Sequence, residues 1–134
     1  MKSLDDLSGQ DVYVRLSSSY AENLKALNAR FKAEGRPALA AYLAHLQAID
    51  PTRLDKPEQF AYWANLYNAK TIDVVLEAYP VASIKNIKLG NLLASGPWSK
   101  KILSVQGVAL SLDDIEHTIL RPYFKDARVH YAVN

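Results

Sequence analysis

The chain has 134 residues, 49% of them hydrophobic and 22% charged, which is the size and composition of one globular domain able to bury a single core. Its formal charge of +2, with Lys and Arg scattered apart from Lys100-Lys101, lacks the electrostatic footprint of a nucleic-acid binder, and no apolar run is long enough to give a transmembrane segment. Cysteine is absent, which removes disulfides, thiolate metal sites and a cysteine nucleophile from this chain, and Met1 to Gln10 is too polar and acidic to read as a secretory leader.

The first third reads as helices. Leu16, Tyr20, Leu24, Leu27 and Phe31 fall on one helical stripe, and Gly35-Arg36-Pro37 is expected to stop that helix and start another. In the second helix Leu39, Tyr42, Leu43 and Leu46 make the apolar face, His45 lies beside it as an ordinary surface histidine, and Asp50-Pro51 ends it. The third helix has the clearest start: Asp55 as cap, Pro57 in the first turn and Glu58 completing a capping box. It is expected to run to about Ala78, before Tyr79-Pro80. Phe60, Trp63, Tyr67, Val74 and Val75 form one apolar stripe, and Tyr62, Leu66, Ala69 and Leu76 a second, so this helix is central and packed on more than one flank.

Asn65 and Asn68 stand three apart in that apolar run, on one face. A buried amide without a partner costs about 1–3 kcal/mol, so each is expected to hydrogen-bond something specific. The pair marks a structural polar network or the floor of a site.

After Pro80 the periodicity shifts towards two, and Ser83 to Leu89 is expected as a short strand, followed by a loop over Gly90 to Trp98. Ile102 to Val105 and Val108 to Leu110 flank Gln106-Gly107, a two-residue hairpin connection. Ser111 with the acidic Asp114 starts a short helix whose apolar face is Leu112, Ile115 and Ile119, and Pro122 is expected to limit it to about Leu120 or Arg121. Over Arg128 to Asn134 the residues Val129, Tyr131 and Val133 alternate with Arg128, His130, Ala132 and Asn134, the pattern of a half-buried strand. A chain stopping within such a strand suggests an incomplete domain, or a sheet completed by another copy, giving a homo-oligomer through the terminal strand.

The five glycines stand alone and build no phosphate loop, GxSxG is missing, and His45, His117 and His130 have no metal-ligand spacing. No cofactor and no metal is indicated by these residues.

Several motifs occur in series: Trp63-Ala-Asn-Leu-Tyr-Asn-Ala69, Tyr79-Pro80 with Ser83-Ile84, Gly96-Pro97-Trp98, Val105-Gln-Gly107, Leu112-Asp-Asp-Ile-Glu-His117 with Leu120-Arg-Pro122, and Asp126-Ala-Arg-Val-His130-Tyr-Ala-Val-Asn134. In this order, from about Leu39 to Asn134, the chain resembles the DUF547 family, a domain of unknown function. The resemblance implies that the last motif runs on into a cysteine-containing stretch, and it tilts localisation toward the bacterial cell envelope or periplasm.

The expected fold is α+β, with N-terminal helices and a central buried helix packed on a small antiparallel sheet. It is a single domain made of an N-terminal helical extension, 1–36, and a family-like core, 37–134. Amides lack a useful acid–base pKa, so Asn65 and Asn68 are binding or orienting candidates, joined by Glu116, Arg121 and Trp63, the last an aromatic that lines either a groove or the core. His117, in Asp113-Asp114-Ile115-Glu116-His117, is a catalytic candidate because a neighbouring acid can orient an imidazole; the alternative is an ion-pair cluster with Glu116 and Arg121. His130 is a candidate through the resemblance, as the base for a cysteine beyond Asn134. Two functions follow: a non-catalytic domain that self-associates, or part of a thiol-dependent hydrolase or transferase of papain-like or transglutaminase-like logic. A small-molecule or peptide ligand is left open.

Overall fold

The computed structural model describes residues 29–89 and 96–133. The stripe Leu16, Tyr20, Leu24 and Leu27, most of the Gly90–Trp98 loop and Asn134 lie outside the described residues. The chain divides into two compact units, Met1–Arg36 and Pro37–Asn134. In the first, Phe31–Gly35 forms a π-helical turn, and Arg30 and Glu34 make an exposed ion pair at 3.4 Å.

Helix α1 covers Arg36–Ala48, so Gly35-Arg36-Pro37 does not interrupt the helical backbone. Pro37 has no N–H to bond back to the preceding turn, so the helical run passes it with one rung missing. Leu43 and Leu46 are buried and Leu39 packs against the core, whereas Tyr42 sits at the edge of the expected face with 43% of its surface exposed. Asp50 then caps a 3-10 turn, Pro51–Arg53, by accepting from Thr52 N at 3.0 Å and Thr52 Oγ1 at 2.7 Å.

Helix α2, Lys56–Ala78, begins at the expected box: Asp55 Oδ1 accepts from Glu58 N at 2.8 Å, and Glu58 Oε2 accepts from Asp55 N at 2.9 Å. Tyr62, Trp63, Ala64, Leu66, Tyr67, Ala69 and Val74 are all buried, which makes it the central helix of its unit. The Tyr62 hydroxyl donates to Leu46 O at 3.0 Å, fastening the middle of α2 to the end of α1. The helix ends at Ala78, before a cis Tyr79–Pro80 bond.

The expected strand over Ser83–Leu89 is instead a 3-10 turn, Ile84–Asn86. Ser83 caps it by accepting from Lys85 N, and Asn86 N and Ile87 N bond back to Ser83 O and Ile84 O. The alternation failed as a signal because Ile84 and Ile87 stand three apart, a spacing a tight helical turn uses equally well, and Ile87 is the buried member.

The sheet is a single antiparallel pair, β1 Leu103–Val105 and β2 Val108–Leu110, in the register Leu103↔Leu110, Ser104↔Ala109, Val105↔Val108. Gln106 (φ 49°) and Gly107 (φ 78°) both take positive φ, as the type I′ hairpin turn requires.

The next helix is α-helical at Leu112–Asp113 and π-helical over Asp114–Phe124. Ser111 Oγ accepts from Asp114 N at 3.1 Å while Asp114 Oδ2 accepts from Ser111 N at 2.6 Å, so the expected start holds. The expected stop does not: the helix runs past Pro122 to Phe124 and ends where Lys125 turns left-handed (φ 51°), its N–H returning to Arg121 O. The wider i→i+5 turn tolerates the proline, which a regular α-helix would not.

Residues Val129–Ala132 form a short helix, α3, and not the expected strand. Val129 and Val133 are both buried and Tyr131 is 85% exposed. Alternate positions two apart contain an i,i+4 pair, so the same sequence buries its two valines on one helical face and turns the tyrosine outward. An oligomer built on a terminal strand loses its premise with that strand. Leu66, Leu112, Ile115, Leu120 and Val129 fill the centre of the unit, where α2, the π-helix and α3 meet.

Candidate functional site

Asn68 is half-buried on α2 and its Nδ2 donates to the Ala132 carbonyl at 2.6 Å, tying the central helix to the last turn of α3. Asn65 is exposed. It belongs with Glu58, Ala61 and Ile72, also exposed, to a stripe of α2 that faces solvent, so its amide is open to water and needs no specific protein partner. The two asparagines therefore differ in role, although their spacing alone treats them alike.

One residue before Asn68, the buried Tyr67 hydroxyl donates to Glu116 Oε2 at 3.3 Å. Arg121 grips the other oxygen of the same carboxylate, with Nη2 at 2.6 Å and Nε at 3.1 Å from Oε1. Burial pushes the Tyr67 hydroxyl up to about 12, helped by the Glu116 charge, while the neighbouring Trp98 acts in the opposite sense. Burial alone takes Tyr62 to about 12. Tyr67 thus remains a neutral donor at ordinary pH, and the arrangement is a chain from tyrosine to carboxylate to guanidinium across two helices.

His117 is exposed on the π-helix. The acids beside it in sequence are engaged elsewhere: Glu116 by Tyr67 and Arg121, Asp114 by Ser111 and by Lys101. Those hydrogen bonds, Lys101 first, hold the Asp114 carboxyl down to about 2. His130 is exposed on α3, with its ring edge-on to Tyr131 at 5.4 Å. It stands two residues before Ala132, so the Asn68 bond brings the histidine's turn against the middle of α2. Among the described residues, no group of three or more His, Asp or Glu has the arrangement of a metal site.

Trp63 lies apart from this network. It lines an open cleft of about 430 Å³ together with Val105, Gln106, Val108, Leu110, Ile119 and the Asp50 to Thr52 turn. The Asp50 carboxyl in that lining is held low by its hydrogen bonds from Thr52. Tyr67 as the hub of the polar chain was invisible in the sequence, because an apolar stripe gives no sign of which tyrosine finds a carboxylate forty-nine residues away.

A model of the family described as "Protein of unknown function, DUF547" matches residues 51–134, starting at Pro51 and not at Leu39. No curated protein and no solved structure matches the chain.

Proposed function

The chain belongs to the DUF547 family of proteins of unknown function, and from that premise we propose that it works as a non-catalytic interaction domain that associates with copies of itself. The observation that supports this reading best is the use made of the central helix's amide. Asn68 bonds a backbone carbonyl at 2.6 Å and so positions α3, and the adjacent Glu116 carboxylate is likewise held between Tyr67 and Arg121. Side chains held this way orient elements; they do not stand ready to accept a proton. Large apolar side chains meanwhile face solvent, among them Val108, Tyr123 and Tyr131. Sedimentation velocity over a rising concentration series tests the reading. A concentration-dependent shift to dimer is expected, and a folded chain that stays monomeric at the highest concentration refutes it.

A second reading is the thiol-dependent hydrolase or transferase implied by the resemblance, with its cysteine beyond Asn134. The specific observation in its favour is that the Asn68 bond holds the turn bearing His130 against α2, which places an amide and an imidazole on neighbouring elements. For a chain carried through that cysteine, this reading expects a thiol whose alkylation slows when His130 is replaced by Ala. An unchanged alkylation rate removes it.

A further inference from the structure

The two outer edges of the hairpin are not alike. In a two-residue hairpin the closing pair, Val105 and Val108, exchanges backbone bonds, so the next pair, Ser104 and Ala109, points its N–H and C=O groups outward. On β1 the outward Ser104 N–H is taken by Gln47 Oε1 at 2.9 Å, a side chain from α1 that closes this edge. On β2 the outward Ser111 N–H, just beyond the strand, is taken by Asp114 Oδ2. That leaves the edge at Ala109, exposed, between the 58%-exposed Val108 and the half-buried Leu110. Val108-Ala109-Leu110 carries neither a lysine nor a proline, and among the described residues no third strand pairs with this edge.

We infer that β2 is the surface through which two copies of the chain associate, pairing antiparallel about a two-fold axis at Ala109; this rests on the self-associating reading above. Three observations favour a second copy as the occupant. An Ala109↔Ala109 register satisfies the outward N–H and C=O of both strands at once, because the pair becomes a bonded one. The same register sets Val108 opposite Leu110 of the other copy on both sides of the axis and Gly107 opposite Ser111, with no charge facing a like charge. Val108 and Leu110 also wall the Trp63 cleft, so pairing lays their apolar surface against its equivalent and joins the two clefts along one face of a four-stranded sheet. Three-residue strands bury far less than the roughly 1,000 Å² of a stable interface, so the dimer is a weak one that forms at high concentration.

The test uses charges placed on the axis. Ala109 is exposed and its outward backbone takes no part in the hairpin ladder, so Ala109→Lys and Ala109→Glu leave the fold intact, as far-ultraviolet circular dichroism checks. Each variant alone sets like charges directly opposite one another and is expected to weaken association about tenfold or more. Mixing the two in equal amounts is expected to restore or exceed wild-type association, in a salt-sensitive manner. If wild type self-associates and both variants do so equally well, β2 is not the interface and the inference fails while self-association stands. If wild type stays monomeric, self-association itself fails and this inference with it.

Discussion

Asn68 and Asn65 make a controlled comparison, two identical side chains three residues apart on one helix. Replacing Asn68 by Ala removes the donor to the Ala132 carbonyl in a half-buried position, and should lower the unfolding free energy by about 1–2 kcal/mol in urea titrations. Asn68→Asp should cost more, since a carboxylate offers that carbonyl no proton. Asn65→Ala, on the solvent stripe, should change stability by less than about 0.5 kcal/mol. Equal losses at the two positions would contradict the division of roles. Tyr67 and Glu116 invite a double-mutant cycle with Tyr67→Phe and Glu116→Gln, where a coupling of about 0.5–1.5 kcal/mol is expected. What the sequence made legible at this scale was that an amide in an apolar helix needs an account. Which amide needed it depended on the angle of the solvent stripe, and that is set by neighbours distant in the chain.

Elements whose signals are local were legible, and those needing a partner to decide were not. The Asp55–Glu58 box and the Gln106-Gly107 turn are written in adjacent residues, and both formed as expected. Asp55→Ala should therefore cost about 1 kcal/mol by thermal or urea unfolding, as loss of a helix cap does. In the hairpin, Gln106 holds a left-handed conformation that Asn adopts more readily, so Gln106→Asn should stabilise the fold by a few tenths of a kcal/mol up to about 1 kcal/mol. A destabilised variant would show that the turn's side chain has another duty, such as its part in lining the Trp63 cleft. The segments that departed from expectation share a different property: their periodicity fits two structures. Val129, Tyr131 and Val133 serve a strand or a helical turn equally well until something chooses a face, and the Asn68 bond to Ala132 together with burial of both valines chooses the turn. The passage of the π-helix through Pro122 also escaped the sequence, because a proline's cost is judged against an α-helical ladder that this segment does not use.

For the molecule as a whole, the same polar bonds set the pH range over which the fold is most stable. Asp114 has its carboxyl depressed to about 2 by Lys101 and Ser111, against about 4 for an aspartate in an unfolded chain. A folded value below the unfolded one stabilises the native state above pH 4, and that stability is lost as pH falls from about 4 through 2 while protons bind the unfolded chain first. Asp126 is depressed similarly by Arg128, but that guanidinium lies largely in solvent, where screening leaves such a pair little weight. At the other end, Tyr62 and Tyr67 are raised to about 12 by burial, against about 10 when unfolded. Their contribution is fully present below pH 10 and declines as pH rises from about 10 through 12, because the unfolded phenols ionise first. Unfolding free energy measured against pH should therefore fall on both sides of a neutral plateau. Asp114→Asn should flatten the acid arm alone, and Tyr62→Phe or Tyr67→Phe should each remove part of the alkaline arm alone. Titration of phenolate absorbance supplies the independent check, since Tyr62 and Tyr67 should ionise only toward pH 12, above the ordinary phenol value, unless the helices are lost first. If all eight titrate smoothly near pH 10 with the helices intact, Tyr62 and Tyr67 are not the buried donors that fasten α2 to α1 and to the π-helix.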